Sequence, residues 1–306
     1  MRRQRWGVSM ISALVALAAT GCGTVLTRGG EPDIPENPPP VAAVKDITPP
    51  LLTYMLDADK VITLINGQQV LAVRCARQFG YRGDPVIYPA NSQPAEYDGI
   101  FSRRYGLVSR ESARKYGYAT SPEEWPRLLP ETVVSPQDFT QPEREIFEGV
   151  TGSGAPSTVT AADGRRLPEG GCLKEAWRQM GPASSSVRDF VADGLAESYN
   201  RMASDSRAKA VQKAYAQCMH DRGYPQVTVR GEQALYSGKP DGPEGVKAAV
   251  DDVTCAQQVN LPGILYALDT AYQQRWIDKH EAELRQGAAD REAALHRARQ
   301  AIAEGV

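Results

Sequence analysis

A pattern of a cysteine, four further residues and then Gly-Tyr occurs twice in this chain and limits how the chain can fold. The two copies occupy positions 75–81 and 218–224. The second copy closes an amphipathic segment, 206–224, in which Val211, Tyr215 and Cys218 fall on one helical face. Glycine is favoured in the left-handed position just past a helix, so each copy predicts a helix end. The repeat therefore predicts two helical halves, each built on one cysteine.

Residues 1–22 carry the pattern of an exported protein. Three arginines precede a short apolar run, 8–20, and small residues from Ala19 onward lead to Cys22. Residues 1–21 are therefore predicted to be a secretory signal peptide, because the apolar run is too short to span a membrane. The end of this segment resembles the bacterial lipobox, whose cysteine thiol receives a diacylglycerol before the chain is cut in front of it. Ala19 stands where the lipobox usually has leucine, and an ordinary cleaved signal with an incidental cysteine is the competing interpretation.

Acylation of Cys22 would fix the protein to a bilayer, since buried acyl chains anchor durably when two or more are present. Residues 22–46 are rich in proline and glycine and poor in large apolar side chains, which predicts an extended tether. The expected location is therefore the outer, extracytoplasmic face of the cell membrane, with the lipid anchor as the contact to the membrane. The formal net charge of −2 argues against a nucleic-acid partner.

The other four cysteines, Cys75, Cys172, Cys218 and Cys255, are an even number in an oxidising compartment, where disulfides persist. Four cysteines allow three pairings. The repeat favours Cys75–Cys172 and Cys218–Cys255, because one further cysteine follows each copy of the pattern. A zinc site is the competing interpretation, but the C-x2-C and H-x3-H spacings of zinc sites are absent. We therefore expect two disulfides, no metal and no other cofactor.

The expected fold class is mainly α: one or more helical domains stapled by disulfides, with at most a small β-hairpin and a long C-terminal helix. The hairpin would pair 227–229 with 233–236, and one short strand is expected at 86–88. We expect a first helical half with an irregular middle at 47–182 and a second helical half at 183–306. From Pro262 the pattern predicts a single helix of about 40 residues, whose apolar first part packs and whose charged second part projects.

No catalytic motif is found in the sequence. The patterns of the nucleophile elbow, the phosphate-binding loop, the zinc-protease helix and the calcium loop are all missing. An enzyme is therefore the less favoured interpretation, although it stays open. Most aromatic residues fall on core-facing stripes, and the loop-rich middle supplies the candidate ligand contacts, which could stack on sugar rings of a cell wall: Tyr105, Tyr116, Tyr118 and Trp125.

The signal with its cysteine, the proline-rich leader, the C-x4-G-Y helix ends and the segment from Tyr105-Gly106-Leu107 to Tyr116-Gly117-Tyr118 together resemble uncharacterised secreted lipoproteins of actinobacteria. That group has no assigned activity, so the resemblance implies a location and not a reaction. The favoured function is a membrane-anchored binding or envelope-accessory protein, whose partner is an envelope protein or a cell-wall polymer. The alternative is an enzyme or sugar-binding module that acts on the cell wall through the tyrosine- and tryptophan-containing middle.

Overall fold

Helices provide nearly all of the secondary structure in the computed structural model, which describes residues 30–89, 103–119, 139–181, 186–228 and 240–306. Within these ranges, two short 3-10 helices, Val44–Asp46 and Pro50–Tyr54, precede nine α-helices. These are α1 (Ala58–Arg77), α2 (Arg110–Tyr116), α3 (Gln141–Glu148), α4 (Gly171–Met180), α5 (Ser186–Ser204), α6 (Ser206–Asp221), α7 (Pro243–Gln258), α8 (Leu261–Lys279) and α9 (Glu281–Glu304). The mainly α fold class is confirmed.

The strand expected at 86–88 does not form. Instead, the side chain of Asn66 in α1 pairs with the backbone N–H and C=O of Tyr88. Tyr88 N donates to Asn66 Oδ1 at 2.8 Å, and Asn66 Nδ2 donates to Tyr88 O at 2.9 Å. An amide side chain thus takes the place of a neighbouring strand. In the described part of the chain, the isolated β-bridges are Val150–Pro156 and Thr160–Arg166. The return strand of the expected hairpin, 233–236, lies outside the described residues.

Both copies of the repeated pattern end a helix in the same way. After α1, Tyr81 N donates to Ala76 O at 3.1 Å and Gly80 has a φ of +97°. After α6, Tyr224 N donates to Met219 O at 3.0 Å and the φ of Gly223 is +94°. This arrangement is the Schellman motif, which turns the chain through a left-handed glycine and satisfies the last helical carbonyls. The helix ends predicted from the pattern are confirmed.

Each of these helix ends is held by a disulfide. Cys75 is bonded to Cys172, the second residue of α4, with a Cα–Cα distance of 5.6 Å. Cys218 of α6 is bonded to Cys255 of α7, also with a Cα–Cα distance of 5.6 Å. The predicted pairing is confirmed. The first bond fixes α1 to the start of α4, and the second fixes α6 to the last turns of α7.

The helices form two large apolar cores, and each core contains one of the two disulfides. The first core is formed by α1, α3, α4 and α9, with the large buried side chains Leu64, Leu71, Phe147, Met180 and Leu295. The second core is formed by α6, α7, α8, the end of α5 and the segments near 41–47 and 105–108, with Tyr105, Met202, Tyr215, Leu261 and Leu268 among its buried side chains. The first core joins both predicted halves, because α9 belongs to the second half by sequence and packs on the first.

The expected long C-terminal helix is present as α9, with 24 residues, but two details of the expectation are wrong: an unbroken run of about 40 residues from Pro262, and a projecting end. The helix breaks at His280 into α8 and α9. The second part does not project, because its small apolar residues are buried: Ala294, Leu295, Ala298 and Ala301. At the crossing with α1, a methyl group added to Gly67 would lie 2.5 Å from Ala298 Cβ, so the two backbones approach closely. Alanine and glycine contributed little to the apolar pattern, and the packing face was therefore missed.

The expectation of an extended tether over 22–46 does not hold from Pro32 onward, since this part of the chain lies on the folded helices. Pro32 O accepts a hydrogen bond from Arg207 Nη2 at 2.8 Å, and Pro38 O accepts one from Asn260 Nδ2 at 2.7 Å. Val41 is buried in the second core. Proline-rich chain lacks donors but keeps its carbonyl acceptors, and these side-chain donors use them. The folded unit therefore begins at Pro32.

Candidate functional site

Tyr105, one of the four candidate ligand contacts, belongs to a buried polar network around Asp269. Its hydroxyl donates to Asp269 Oδ2 at 2.5 Å, and Arg104 contacts the same carboxylate through Nε at 2.6 Å and Nη2 at 3.1 Å. Gln273 Nε2 donates to Asp269 at 2.9 Å and its Oε1 accepts from Leu51 N at 3.1 Å. The side chain of Asp269 is fully buried and Tyr105 is 2% exposed. Both the ring and the hydroxyl of Tyr105 are therefore used inside the fold, and its contact with a ligand stays a prediction.

The electrostatics of this network keep Tyr105 protonated. Burial raises the pKa of the Tyr105 hydroxyl, and the charge of Asp269 raises it further. Burial favours neutral Arg104, but the hydrogen bonds and charge of Asp269 outweigh this effect and raise the pKa of the guanidinium. The network thus consists of a permanent cation, a carboxylate and a neutral phenol, which suits a structural element rather than a proton-transfer site.

Tyr118 is engaged in a second internal contact. Its hydroxyl lies 3.2 Å from Asp252 Oδ2, and the Tyr215 hydroxyl donates to Asp252 Oδ1 at 3.0 Å. This places Asp252 between two phenols and joins the loop after α2 to α6 and α7. Tyr118 is half-buried and contributes to packing here, and its contact with a ligand stays a prediction. Tyr116 is half-buried with Lys115 Nζ 5.1 Å from its ring centroid, while Trp125 and Cys22 lie outside the described residues.

A groove of about 480 Å³ lies over the second core and is a candidate ligand site among the described residues. Its volume falls within the range of small-molecule sites, which are mainly apolar with a few polar groups. The apolar lining is Tyr199, Met202, Ala203, Ala208, Ala216, Val227 and Leu265, and the polar lining is Lys209, Gln212, Lys213, His220 and Thr228. Half of these twelve residues belong to α6, and the others come from α5, the chain at 227–228 and α8.

The corner between α5 and α6 fixes one end of the groove. Asp205 caps α6, since its Oδ1 accepts from Arg207 N at 2.9 Å, and its Oδ2 accepts from the Tyr272 hydroxyl of α8 at 3.0 Å. Burial raises the pKa of Asp205, but the hydrogen bonds from Arg207 and Tyr272 outweigh burial and hold the pKa below its usual value. The charged carboxylate therefore ties α6 to α8 directly beside the lining residue Ala208.

The buried network around Asp269 also reaches the groove. The guanidinium of Arg104 lies 4.9 Å from the ring centroid of Tyr199, and its Nη2 donates to Leu195 O of α5 at 2.6 Å. A guanidinium over an aromatic face is attractive, and this one is fixed by a buried carboxylate. Arg104 thereby holds the ring of Tyr199, which is 39% exposed, at the edge of the groove. Tyr105 thus contributes to the groove indirectly, through Asp269 and Arg104.

The polar side of the groove is cationic. Lys209 and Lys213 are one helical turn apart on α6, both are exposed, and none of the groove's described lining residues is acidic. His220 closes the far end of this face, where its Nε2 donates to Val227 O at 2.7 Å. The arrangement provides an apolar floor with positive charge along one rim, which complements a ligand with an apolar body and an anionic group.

Sequence patterns did not single out the groove. Met202 and Leu265 were indistinguishable from core residues, and Lys209 and Lys213 were indistinguishable from an ordinary solvated helix face. The sequence does contain one signal of the groove, the pair Lys209 and Lys213, which are spaced i, i+4 on α6. Whether such a pair borders a groove depends on which helix packs next to α6. That neighbour is set by tertiary packing.

No cluster of three or more His, Cys, Asp or Glu side chains that could hold a metal ion was found among the described residues. None of the described helices is long and apolar enough to cross a membrane. Comparisons with protein-family models, curated proteins and solved structures found no match to this chain.

Proposed function

We propose that the protein is a lipid-anchored extracytoplasmic binding protein whose groove over the second core takes an amphipathic anion. The observation that carries this proposal is the combination of an apolar groove of about 480 Å³ with Lys209 and Lys213 along its rim. The anchor at Cys22 and the location outside the cell membrane remain proposals that rest on the sequence of residues 1–22.

The ligand class follows from the two faces of the groove. The apolar side chains, Met202 and Leu265 among them, favour a hydrocarbon chain, because burying methylene groups is worth about 0.8 kcal/mol each. The two lysines favour a carboxylate or phosphate head at the end of that chain. A ligand with one acyl chain and one anionic head, such as a fatty acid or a lysophospholipid, satisfies both requirements.

The position of the groove along the chain supports a membrane-derived ligand. Arg207, which holds Pro32, directly precedes the lining residues Ala208 and Lys209. Ten peptide links separate Cys22 from Pro32, so a lipid on Cys22 would hold Pro32 within a chain length of at most about 36 Å. The predicted tether of residues 22–46 would allow more than twice that reach, but its second part lies on the folded helices.

The alternative, a cell-wall enzyme or sugar-binding module acting through the tyrosine-containing middle, has less support. Two of the four side chains proposed to contact a sugar, Tyr105 and Tyr118, are committed to Asp269 and Asp252. Tyr116 is not among the described residues that line the groove. We therefore do not develop this alternative further.

The proposal is tested with the secreted chain and a fluorescent fatty-acid probe. We expect saturable binding of one probe per chain that is displaced by unlabelled fatty acid. Reversing both charges, Lys209→Glu with Lys213→Glu, should weaken binding about tenfold, because two rim charges together contribute on the order of 1.4 kcal/mol. The matched control is Lys60→Glu with Lys174→Glu, which changes the net charge equally at lysines outside the groove. Equal loss in both double variants would contradict a role for the groove.

A further inference from the structure

A second cavity of about 480 Å³ lies where α1 ends, on the opposite core from the groove. It is bounded by the last turn of α1, the loop at 165–168 and the exposed face of α4. The disulfide Cys75–Cys172 joins the two helices beneath it, and Cys75 is itself a lining residue. The walls of this arginine cleft are therefore fixed covalently with respect to each other.

Arginines from three separate elements line the arginine cleft. Arg74 comes from α1, Arg165 and Arg166 come from the loop, and Arg178 comes from α4, while Glu175 is the acidic residue among the described lining. The loop is held in place by a tight turn, in which Ala161 N donates to Arg165 O at 2.8 Å and Gly164 has a φ of +84°. The bridge between Thr160 and Arg166 fixes the backbone of Arg166 as well.

These arginines differ in how firmly they are held. Arg74 is committed to the end of α9, because its Nε and Nη2 donate to Gly305 O at 3.2 and 2.5 Å. Arg165 pairs with Asp163 at 2.7 Å, and both side chains are more than half exposed. Arg178 pairs with Glu175 at 2.8 Å. Exposed pairs contribute little, so an anionic ligand can replace them. Arg166 has no hydrogen bond or ion pair with any residue that the structure describes.

We propose that the arginine cleft binds a phosphate group through Arg165, Arg166 and Arg178, with Arg74 as a structural wall. A guanidinium group donates two parallel hydrogen bonds to the oxygens of a phosphate. Arginine is therefore preferred over lysine where a phosphate is bound in a defined orientation. The neutral amide nitrogen of Gln78 supplies a further donor to phosphate oxygens, while Gln179 Nε2 already donates to Glu175 Oε1 at 3.0 Å. This site is distinct from the groove, because the two cavities share no lining residue.

The test uses the secreted full chain with intact disulfides and calorimetric titration with inorganic pyrophosphate, glucose 6-phosphate and a glycerol-phosphate polymer. Binding of all three assigns the cleft to phosphate in general, and binding of the polymer alone assigns it to a phosphodiester chain. We expect Arg166→Ala and Arg178→Gln each to weaken binding roughly tenfold, as loss of one charge-assisted contact predicts. Arg285→Ala, which removes an exposed arginine paired with Glu281 on α9, should leave binding unchanged.

Thermal unfolding of each variant separates a binding defect from a folding defect. Arg166 is exposed and without a described partner, so Arg166→Ala should unfold within about 1 °C of the unmodified chain, as expected for a surface substitution. Absence of saturable binding to any of the three phosphates would overturn the proposal. Undiminished binding in Arg166→Ala and Arg178→Gln would overturn it as well. Fatty-acid binding in the groove should be the same in all three variants.

Discussion

Gly67 of α1 and Ala298 of α9 meet where the two helices cross, and the β-carbon of Ala298 leaves no room for one on Gly67. A methyl group added to Gly67 would lie 2.5 Å from Ala298 Cβ and 2.7 Å from Ala298 Cα. Small residues at a crossing let two backbones approach, so this contact decides whether α9 packs on the first core. The charged C-terminal helix is therefore a structural part of the fold and not an extension from it.

Gly67→Val should test this contact. The added side chain must push α9 away, and overpacking of this kind costs about 1–3 kcal/mol, which urea unfolding measures. The matched control is Ala289→Val on the exposed face of α9, whose cost should stay near the difference in helix propensity, below about 0.7 kcal/mol. If α9 projected from the fold, the two substitutions would have similar, small effects.

Asp269→Asn should be among the most destabilising single substitutions in the second half. The side chains of Arg104 and Asp269 are 8% and 0% exposed, so the variant leaves a buried guanidinium without its counter-charge. Breaking a buried pair in this way costs about 3–5 kcal/mol. Asp163→Asn breaks an exposed pair with Arg165 and should have a much smaller effect on stability, because water screens such a pair. Urea midpoints that shift equally in the two variants would show that the network around Asp269 contributes no more than a surface pair.

Asp205 predicts a specific loss of stability in acid. Its pKa is lower in the folded chain than in the unfolded chain, so its contribution is present above the unfolded value, near pH 4. That contribution is lost as the pH falls through the folded pKa. Asp205→Asn should therefore be less stable than the unmodified protein at pH 7, and the difference should shrink between about pH 5 and pH 2. Unfolding at several pH values measures this, with Asp241→Asn as the control at an exposed carboxylate.

Cys22→Ser tests the predicted anchor. The substitution removes the thiol that would be acylated, so incorporation of labelled fatty acid should be abolished and the precursor should accumulate or be cut elsewhere. The control Cys218→Ser removes a thiol that the structure places in a disulfide. The amount of label per recovered protein molecule should be unchanged in this control. Continued labelling of the Cys22→Ser chain would contradict the lipobox interpretation.

Local chemistry made some features predictable and not others. The helix ends at Gly80 and Gly223 could be predicted because a left-handed glycine followed by tyrosine is a local requirement of the backbone. The disulfides were predicted from the repeat together with the expected oxidising compartment. The break at His280 could not be predicted, because the residues around it favour helix, and the change in direction is fixed by α9 packing on α1. The position of 32–46 on the helices was missed because backbone carbonyls make part of its contacts and its apolar side chains, Val41 among them, are few.

The candidate site was less predictable than the fold, for a related reason. Tyr105 and Tyr118 occur in a stretch rich in turns, where an aromatic residue is as compatible with surface as with core. Their partners, Asp269 and Asp252, lie far along the chain on helices whose order in space the sequence does not reveal. The groove itself is formed by residues with ordinary helical patterns.

The most direct test of the central claim is photo-cross-linking of a fatty acid that carries a photoreactive group near the end of its chain. If the groove binds the fatty acid, we expect cross-links to peptides of α5, α6 and α8 that contain Met202, Ala208 and Leu265. These cross-links should be lost in Ala203→Trp, which fills the groove, and should persist in Ala289→Trp, on the exposed face of α9. Cross-links spread over the surface, or unchanged in Ala203→Trp, would show that the groove is not the binding site.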